Sequence, residues 1–251
     1  MKYKLIAISF MMLILSCLAN VVRSVNGAVH SRFSSVVEES VTAKDYIQNG
    51  LIGHWDGIEN VGYGRHDSDS SEWIDLTGSG NNMTLTKGAY FLENRFETGT
   101  ANSPFAKVNE LVRLPIYSVE FIVDASRTSG FQLFGKCSSS KTKIFWFGIR
   151  ANDTINFWSN GDCMQGTRKG INSYAVSIEG NFVRLFMNGE EMPNLGPGLT
   201  GVNEANITIG IGSGVSYRDY SIYSIRLYSR PLSPDEIALN HSIDQIRFNV
   251  P

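Results

Sequence analysis

Beyond about residue 45, apolar and polar residues alternate with a period of two. Ser118–Val123 sets Val119, Phe121 and Val123 against Ser118, Glu120 and Ile122. Ser173–Ile178 places Tyr174, Val176 and Ile178 on one face and Ser173, Ala175 and Ser177 on the other. Phe182–Met187 follows Glu179-Gly180-Asn181, a hairpin signal, and Asn188-Gly189 marks the next turn. Asn206–Ile211 alternates Ile207, Ile209 and Ile211, and Tyr220–Tyr228 is the last long strand. Phe131–Lys136, Ile144–Arg150 and Ile155–Asn160 predict three successive antiparallel strands. Many short strands punctuated by turns, with no βαβ alternation and no Gly-x-Gly-x-x-Gly opening a helix, predict an all-β protein. The expected form is a two-sheet antiparallel β-sandwich. One helix is signposted near the end, where Ser233-Pro234-Asp235-Glu236 offers an N-cap, a first-turn proline and a capping-box glutamate. Its apolar positions Ile237, Leu239 and Ile243 lead toward Phe248, and its expected place is beside the last strand.

The N-terminus carries a different pattern. Lys2 and Lys4 precede an almost wholly apolar run, Leu5 to Ala19, without a polar face. It is short of the ~20 residues that span a bilayer as a helix, so the pattern is that of a secretory signal. Two processing outcomes stay open. Small residues at Val25-Asn26-Gly27 suit cleavage that makes residues 1–27 the signal peptide. Ile14-Leu15-Ser16-Cys17 instead resembles a lipobox, which would remove residues 1–16 and lipidate Cys17. Residues 28–44 then form a flexible linker, and residues 45–251 the domain. A lipid on Cys17 is the one expected route to a membrane.

Composition narrows the function classes. With 42% apolar and 11% aromatic residues the chain can fill a core. Its formal charge is −2, and the first 27 residues hold three basic groups and no acid. Losing them would deepen the acidic balance, which disfavours a protein that grips nucleic acid by counterion release. In an exported chain, Cys137 and Cys163 suggest one disulfide. On the strand pattern both lie at the same end of the three-strand meander, with the outer strands about 9.5 Å apart. The loops would have to close that gap, and two free buried thiols are the alternative. No Cys-x-x-Cys pair or nearby histidine completes a metal site.

Two segments resemble the laminin-G-like members of the concanavalin A-like lectin/glucanase superfamily. The first is Gly50-Leu51-Ile52-Gly53-His54-Trp55-Asp56-Gly57 with Trp73-Ile74-Asp75-Leu76-Thr77-Gly78 and the following Ser79 to Asn82. The second runs from Asp219 to Ile237, and between them Ser173 to Gly189 is similar to the family's hairpin, which ends in an aromatic-x-Asn/Asp-Gly turn. The resemblance covers nearly all of Asp45–Val250 and implies a jelly roll of two antiparallel sheets in an exported, carbohydrate-binding or adhesive protein. It also implies that Trp55 and Trp73 are core residues. The chain departs from the family at Ser224, where many members carry an acidic residue before the hydrophobic position of the last strand.

The superfamily includes glycoside hydrolases, which use a bulged Glu-x-Asp-x-x-Glu string to bring two carboxyls within reach of one bond. This chain has no such string. Glu120 and Asp124 come nearest, and Glu190-Glu191 sits after a turn as a solvated loop. No Gly-x-Ser-x-Gly is present, and His30, His54, His66 and His241 have no catalytic motif around them. The expectation is a non-catalytic protein.

Sugar recognition uses an aromatic platform flanked by amides and carboxylates. Ile155–Asn160 alternates Asn156, Trp158 and Asn160 against Ile155 and Phe157, so Trp158 between two asparagines is a candidate platform. Arg150 and Gln132 on the two preceding strands would extend it. The alternative is that Trp158 packs under a loop or a sheet, and Trp146, between Phe145 and Phe147, fits the core. Calcium is the candidate cofactor, at the oxygen-rich loop His66-Asp67-Ser68-Asp69-Ser70, with Asp67 and Asp69 as ligands. Asp75 can equally cap its own turn. Three functions remain: an exported lectin-like module recognising a glycan or cell-surface protein, a glycoside hydrolase, or a structural or adhesive surface domain.

Overall fold

The computed structural model describes residues 40–85, 88–98, 106–108, 117–127, 131–134, 147–149, 154–157, 162–165, 169–179, 182–193, 208–209 and 220–251. The segments expected above as signal peptide and linker, with Cys17, lie outside these residues up to residue 39. The packed body runs from Val41 to Pro251. Residues 41–44, assigned above to the linker, are part of it: Ala43 is fully buried, and its N–H donates to Glu59 Oε1 at 3.2 Å.

With strands numbered in chain order, the first sheet runs β14 (Glu190–Met192), β13 (Phe182–Met187), β12 (Ile171–Glu179), β7 (Ser118–Asp124), β16 (Ser221–Tyr228), β5 (Arg95–Glu97), β4 (Tyr90–Leu92). β1 (Leu51–Asp56) shares one edge of β16 with β5, pairing over Ser224–Tyr228 while β5 pairs over Ser221–Ile222. The second sheet runs β11 (Asp162–Gln165), β10 (Thr154–Phe157), β9 (Phe147–Ile149), β8 (Phe131–Phe134), β15 (Thr208–Ile209), β6 (Ala106–Val108), β3 (Met83–Leu85), β2 (Glu72–Trp73). All pairings are antiparallel, and the fold is the expected β-sandwich. The three strands expected between residues 131 and 160 form β8, β9 and β10 in that order. β13 and β14 are joined through Asn188-Gly189 at φ 50° and 76°, the two left-handed residues a tight hairpin needs. Glu190 and Glu191 are therefore strand residues of an exposed edge, not a loop.

Alternation fills the core from both sheets. Val119, Phe121 and Val123 of β7, Tyr174, Val176 and Ile178 of β12, and Ile225 and Leu227 of β16 pack with Trp55 and Trp73. Both tryptophans are wholly buried, as expected, and Trp73 stacks on Phe96 at 5.1 Å between centroids.

The opposite face of the first sheet departs from a half-solvated pattern. Every residue of Ser118–Val123 is buried, Glu120 and Ile122 included. The cause is α1 (Pro234–Phe248), which forms with the full expected capping box and lies across that face rather than only beside the last strand. Ile237 packs with Ala175, Phe186, Tyr228 and Leu232, while Phe248 packs with Ile122, Tyr223 and Val250.

Candidate functional site

A sandwich has two broad outer faces. The outer face of the first sheet is occupied by α1, and the groups beneath it are charged. Arg226, 1% exposed, donates through Nε to Glu120 Oε2 at 2.9 Å and through Nη1 and Nη2 to both oxygens of Asp244 at 2.8 and 2.9 Å. Asn240 donates to the same Glu120 oxygen at 2.7 Å. Arg226 also lies 3.9 Å from the centroid of the Tyr46 ring. Burial pushes the Glu120 carboxyl upward, against the pull of Arg226. Burial pulls the Arg226 guanidinium down, but the Asp244 and Glu120 carboxylates outweigh it and hold it well above its ordinary value. Alongside, Arg247 pairs with Asp56 at 2.8 Å and Glu59 at 3.1 Å, and the buried His54 stands 3.7 Å from Asp56. These groups tie α1 to β1, β7 and β16. Glu120, the nearest approach to a catalytic acid in the sequence, is spent in this tie. His241 Nδ1 lies 2.9 Å from Ser173 Oγ, but both oxygens of Asp244 face Arg226, so Asp244 does not orient the pair as the acid of a triad would.

The second sheet is ordered by its ladder. Leu85, Ala106, Ile209, Phe134, Phe147 and Phe157 stand in one unbroken row across β3, β6, β15, β8, β9 and β10. Leu85 packs against the core. Gln132 is the partner of Gly148, Gly148 of Asn156, and Asn156 of Asp162, so Asp162, Asn156, Gly148 and Gln132 stand in register across four adjacent strands. Thr84, Lys107 and Thr208 stand in register across β3, β6 and β15, and Thr84 is exposed.

Of the five sugar-site residues expected from sequence, the ladder brings Gln132 and Asn156 into one row. Trp158, Asn160 and Arg150 lie outside the described residues, as does Trp146. Gly148 and Asp162 were missed. Their signal was faint: a glycine breaking the apolar run Phe145–Ile149, and an acid ahead of Cys163. Cys163 itself falls within β11, a fourth strand of the meander. Strand β11 stands three spacings from β8, about 14 Å, not the two spacings expected, because the chain turns back once more after β10. Cys137 lies outside the described residues.

The proposed calcium loop is organised by its own hydrogen bonds. Asp67 Oδ1 accepts the Asp69 N–H at 2.9 Å, and Asn60 bonds both the N–H and the carbonyl of Asp67. Asp75 Oδ1 caps Thr77 at 3.1 Å and also accepts the N–H of His54 at 3.0 Å, fastening this turn to β1. Among the described residues no three His, Cys, Asp or Glu side chains converge as metal ligands. No described helix is long and apolar enough to cross a membrane.

No protein-family model matches the chain, and no curated protein does. Solved structures do resemble it. A Trypanosoma rangeli sialidase superposes with a TM-score of 0.59 at 14% identity, over 79% of this chain and 34% of that one. The same enzyme in complex with sialic acid gives 0.56 at 15% identity, over 79% and 34%. The receptor binding domain of botulinum neurotoxin D gives 0.53 at 14% identity, over 77% of this chain and 52% of that one. The chain thus matches about a third to a half of these proteins' lengths, and the likeness is one of fold.

Proposed function

We propose that this chain is an exported, non-catalytic glycan-binding module of the concanavalin A-like class, akin to laminin-G domains. One observation carries the reading. One broad face of the sandwich is taken up by α1, while on the other sheet the ladder sets two amide residues, a glycine and an aspartate in register across four adjacent strands. Amides both donate and accept, a carboxylate accepts, and a glycine lets a ligand approach the backbone; together these match a hydroxylated ring. Two of the structures it resembles are a sialidase in complex with sialic acid and a toxin's receptor binding domain, which supports the reading in general terms. The proposed work is recognition, at a cell surface or outside the cell, with no bond broken.

A glycan microarray with the purified protein tests this, alongside Gln132→Ala and Asn156→Ala variants. Retention of a defined set of oligosaccharides is expected. Each variant should weaken it about ten-fold, the worth of a hydrogen bond or two, with thermal unfolding unchanged. Retention of no glycan, or unaltered binding by both variants, overturns the proposal. Repeating the array with a chelator tests calcium ligation at Asp67 and Asp69.

A further inference from the structure

We propose that residues 41–49 form an acid-labile strap: a proton taken up by His54 lifts Tyr46 from the first sheet and unfastens the strap from α1. His54 and Arg226 are direct partners on β1 and β16, so their side chains share the face beneath α1. Tyr46 closes that face from the strap. Its ring meets the His54 imidazole edge-on at 5.4 Å between centroids, and the Arg226 guanidinium lies over it at 3.9 Å. Tyr46 and His54 are both buried. Among the described residues, neither the tyrosine hydroxyl nor either imidazole nitrogen has a hydrogen-bond partner. Charged groups face His54 from each element around it. Asp56, on its own strand, stands 3.7 Å from Nε2. Arg226 comes from β16, backed by Glu120 of β7 and Asp244 of α1. Arg247 comes from α1, backed by Glu59 of the loop after β1. Asp56 is the natural acceptor for a protonated His54, but Arg247 already holds its Oδ2 at 2.8 Å. A proton on His54 therefore adds a third cation to Arg226 and Arg247 in a site closed to water. Burial accordingly holds the imidazole below its ordinary value, against the pull of Asp56.

The strap is the cover that yields at least cost. Three hydrogen bonds fasten it: the Ala43 N–H to Glu59 Oε1 at 3.2 Å, the Ile47 N–H to Asn240 Oδ1 at 2.9 Å, and Arg247 Nη1 to the Val41 carbonyl at 3.2 Å. Its far end is pinned, since Arg230 Nε donates to the Asn49 carbonyl at 2.9 Å and the Ser229 N–H to the Gly50 carbonyl at 2.8 Å. Lifting the strap from that hinge hydrates His54 and the Tyr46 hydroxyl together, and it leaves the β1–β16 ladder and the core on the opposite face in place. In the lifted state His54 titrates near 6.5. The opening equilibrium therefore rises by up to ten-fold for each pH unit below 6.5, and it levels off at the value His54 has in the closed state.

The test is hydrogen exchange on the full chain, read at single amides between pH 7.5 and 5 and corrected for intrinsic rates. Ala43 and Ile47 report the strap, and the paired amides of β7 and β12 report the core. Opening constants at Ala43 and Ile47 should exceed those of the core at least ten-fold at every pH. They should respond little to low urea, because a local opening exposes little surface. Below pH 6.5 they should rise five- to ten-fold per unit. His54→Gln should hold them within two-fold across the range, while His241→Gln leaves the slope as it is. In the unaltered protein, which needs no variant to fold, the rise should level off at the pH where the His54 ring signal titrates. The strap is overturned if Ala43 and Ile47 are indifferent to pH, if the slope survives in His54→Gln, or if it levels off away from the His54 midpoint. It is overturned equally if the strap amides match the core in size and urea dependence, which would make the acid effect global unfolding alone.

Discussion

Replacing Arg226 with methionine removes the cation on which the underside of α1 is assembled. The guanidinium makes three charge-assisted bonds, to Glu120 and to both oxygens of Asp244, in a site where all three side chains are at most 4% exposed. Methionine keeps the length of the stem but leaves two buried carboxylates without their partner. Breaking a buried pair in this way costs about 3–5 kcal/mol, and losing the contact over Tyr46 adds up to ~2 kcal/mol. A domain stable by 5–15 kcal/mol would lose a large fraction of its margin. The pH dependence is specific. Burial already raises Glu120, and without Arg226 it would rise further. A carboxyl whose folded value exceeds its unfolded one supports the fold below the unfolded value and loses that support as pH rises through the folded value. The deficit of Arg226→Met should therefore shrink from pH 7 toward pH 5. Adding Glu120→Gln and Asp244→Asn, which remove the stranded charges, should restore at least half of it. Urea unfolding followed by the fluorescence of buried Trp55 and Trp73 reads all of this. A loss under 1 kcal/mol at unchanged m-value, or a deficit independent of pH, would refute the account of the cluster.

Two further outcomes follow from the same face of the molecule. His54 is wholly buried, its ring nitrogens lack hydrogen-bond partners, and burial lowers its pKa despite Asp56 nearby. Its contribution is present above the unfolded value near 6.5 and fades as pH falls through the folded value, at up to ~1.4 kcal/mol per pH unit. His54→Leu should flatten that limb of the stability curve while His241 keeps its own share, and an unchanged limb would show His54 is not responsible. Gly189 sits at φ 76°, where an added Cβ would lie 2.7 Å from His241 Cδ2. Gly189→Ala should cost at least 1–2 kcal/mol through the left-handed backbone alone, visible in calorimetry as a melting point lowered by several degrees.

Much of the fold was legible because one face of each strand answers to a single rule. Val119, Phe121 and Val123 alternate, and so do Tyr174, Val176 and Ile178; both sets meet in the core. The helix start was legible for a local reason, since Ser233 and Glu236 satisfy each other three residues apart. What α1 covers was not legible. Glu120 and Ile122 look like solvent positions until Asn240, Asp244 and Phe248 arrive from more than a hundred residues away. The only trace was an outward face too apolar for water, with Ile122, Phe186 and Tyr223 on it. The candidate site was half legible. Alternation marked Asn156, but that Gly148, Gln132 and Asp162 share its row depends on register, and bulges between Gln132 and Phe134 and between Asn156 and Ile155 set that register. A two-residue period does not reveal where the extra residue falls.

The position of β16 bears on how the molecule is made. It joins β7 on one side to β1 and β5 on the other, yet it follows all three in the chain, directly ahead of the helix that roofs the sheet. Until residue 228 is available, the halves of that sheet have nothing between them, and Trp55 has no Ile225 or Leu227 to pack upon. A ribosome-bound chain stopped before that point is therefore kept from premature closure of this sheet by its own strand order.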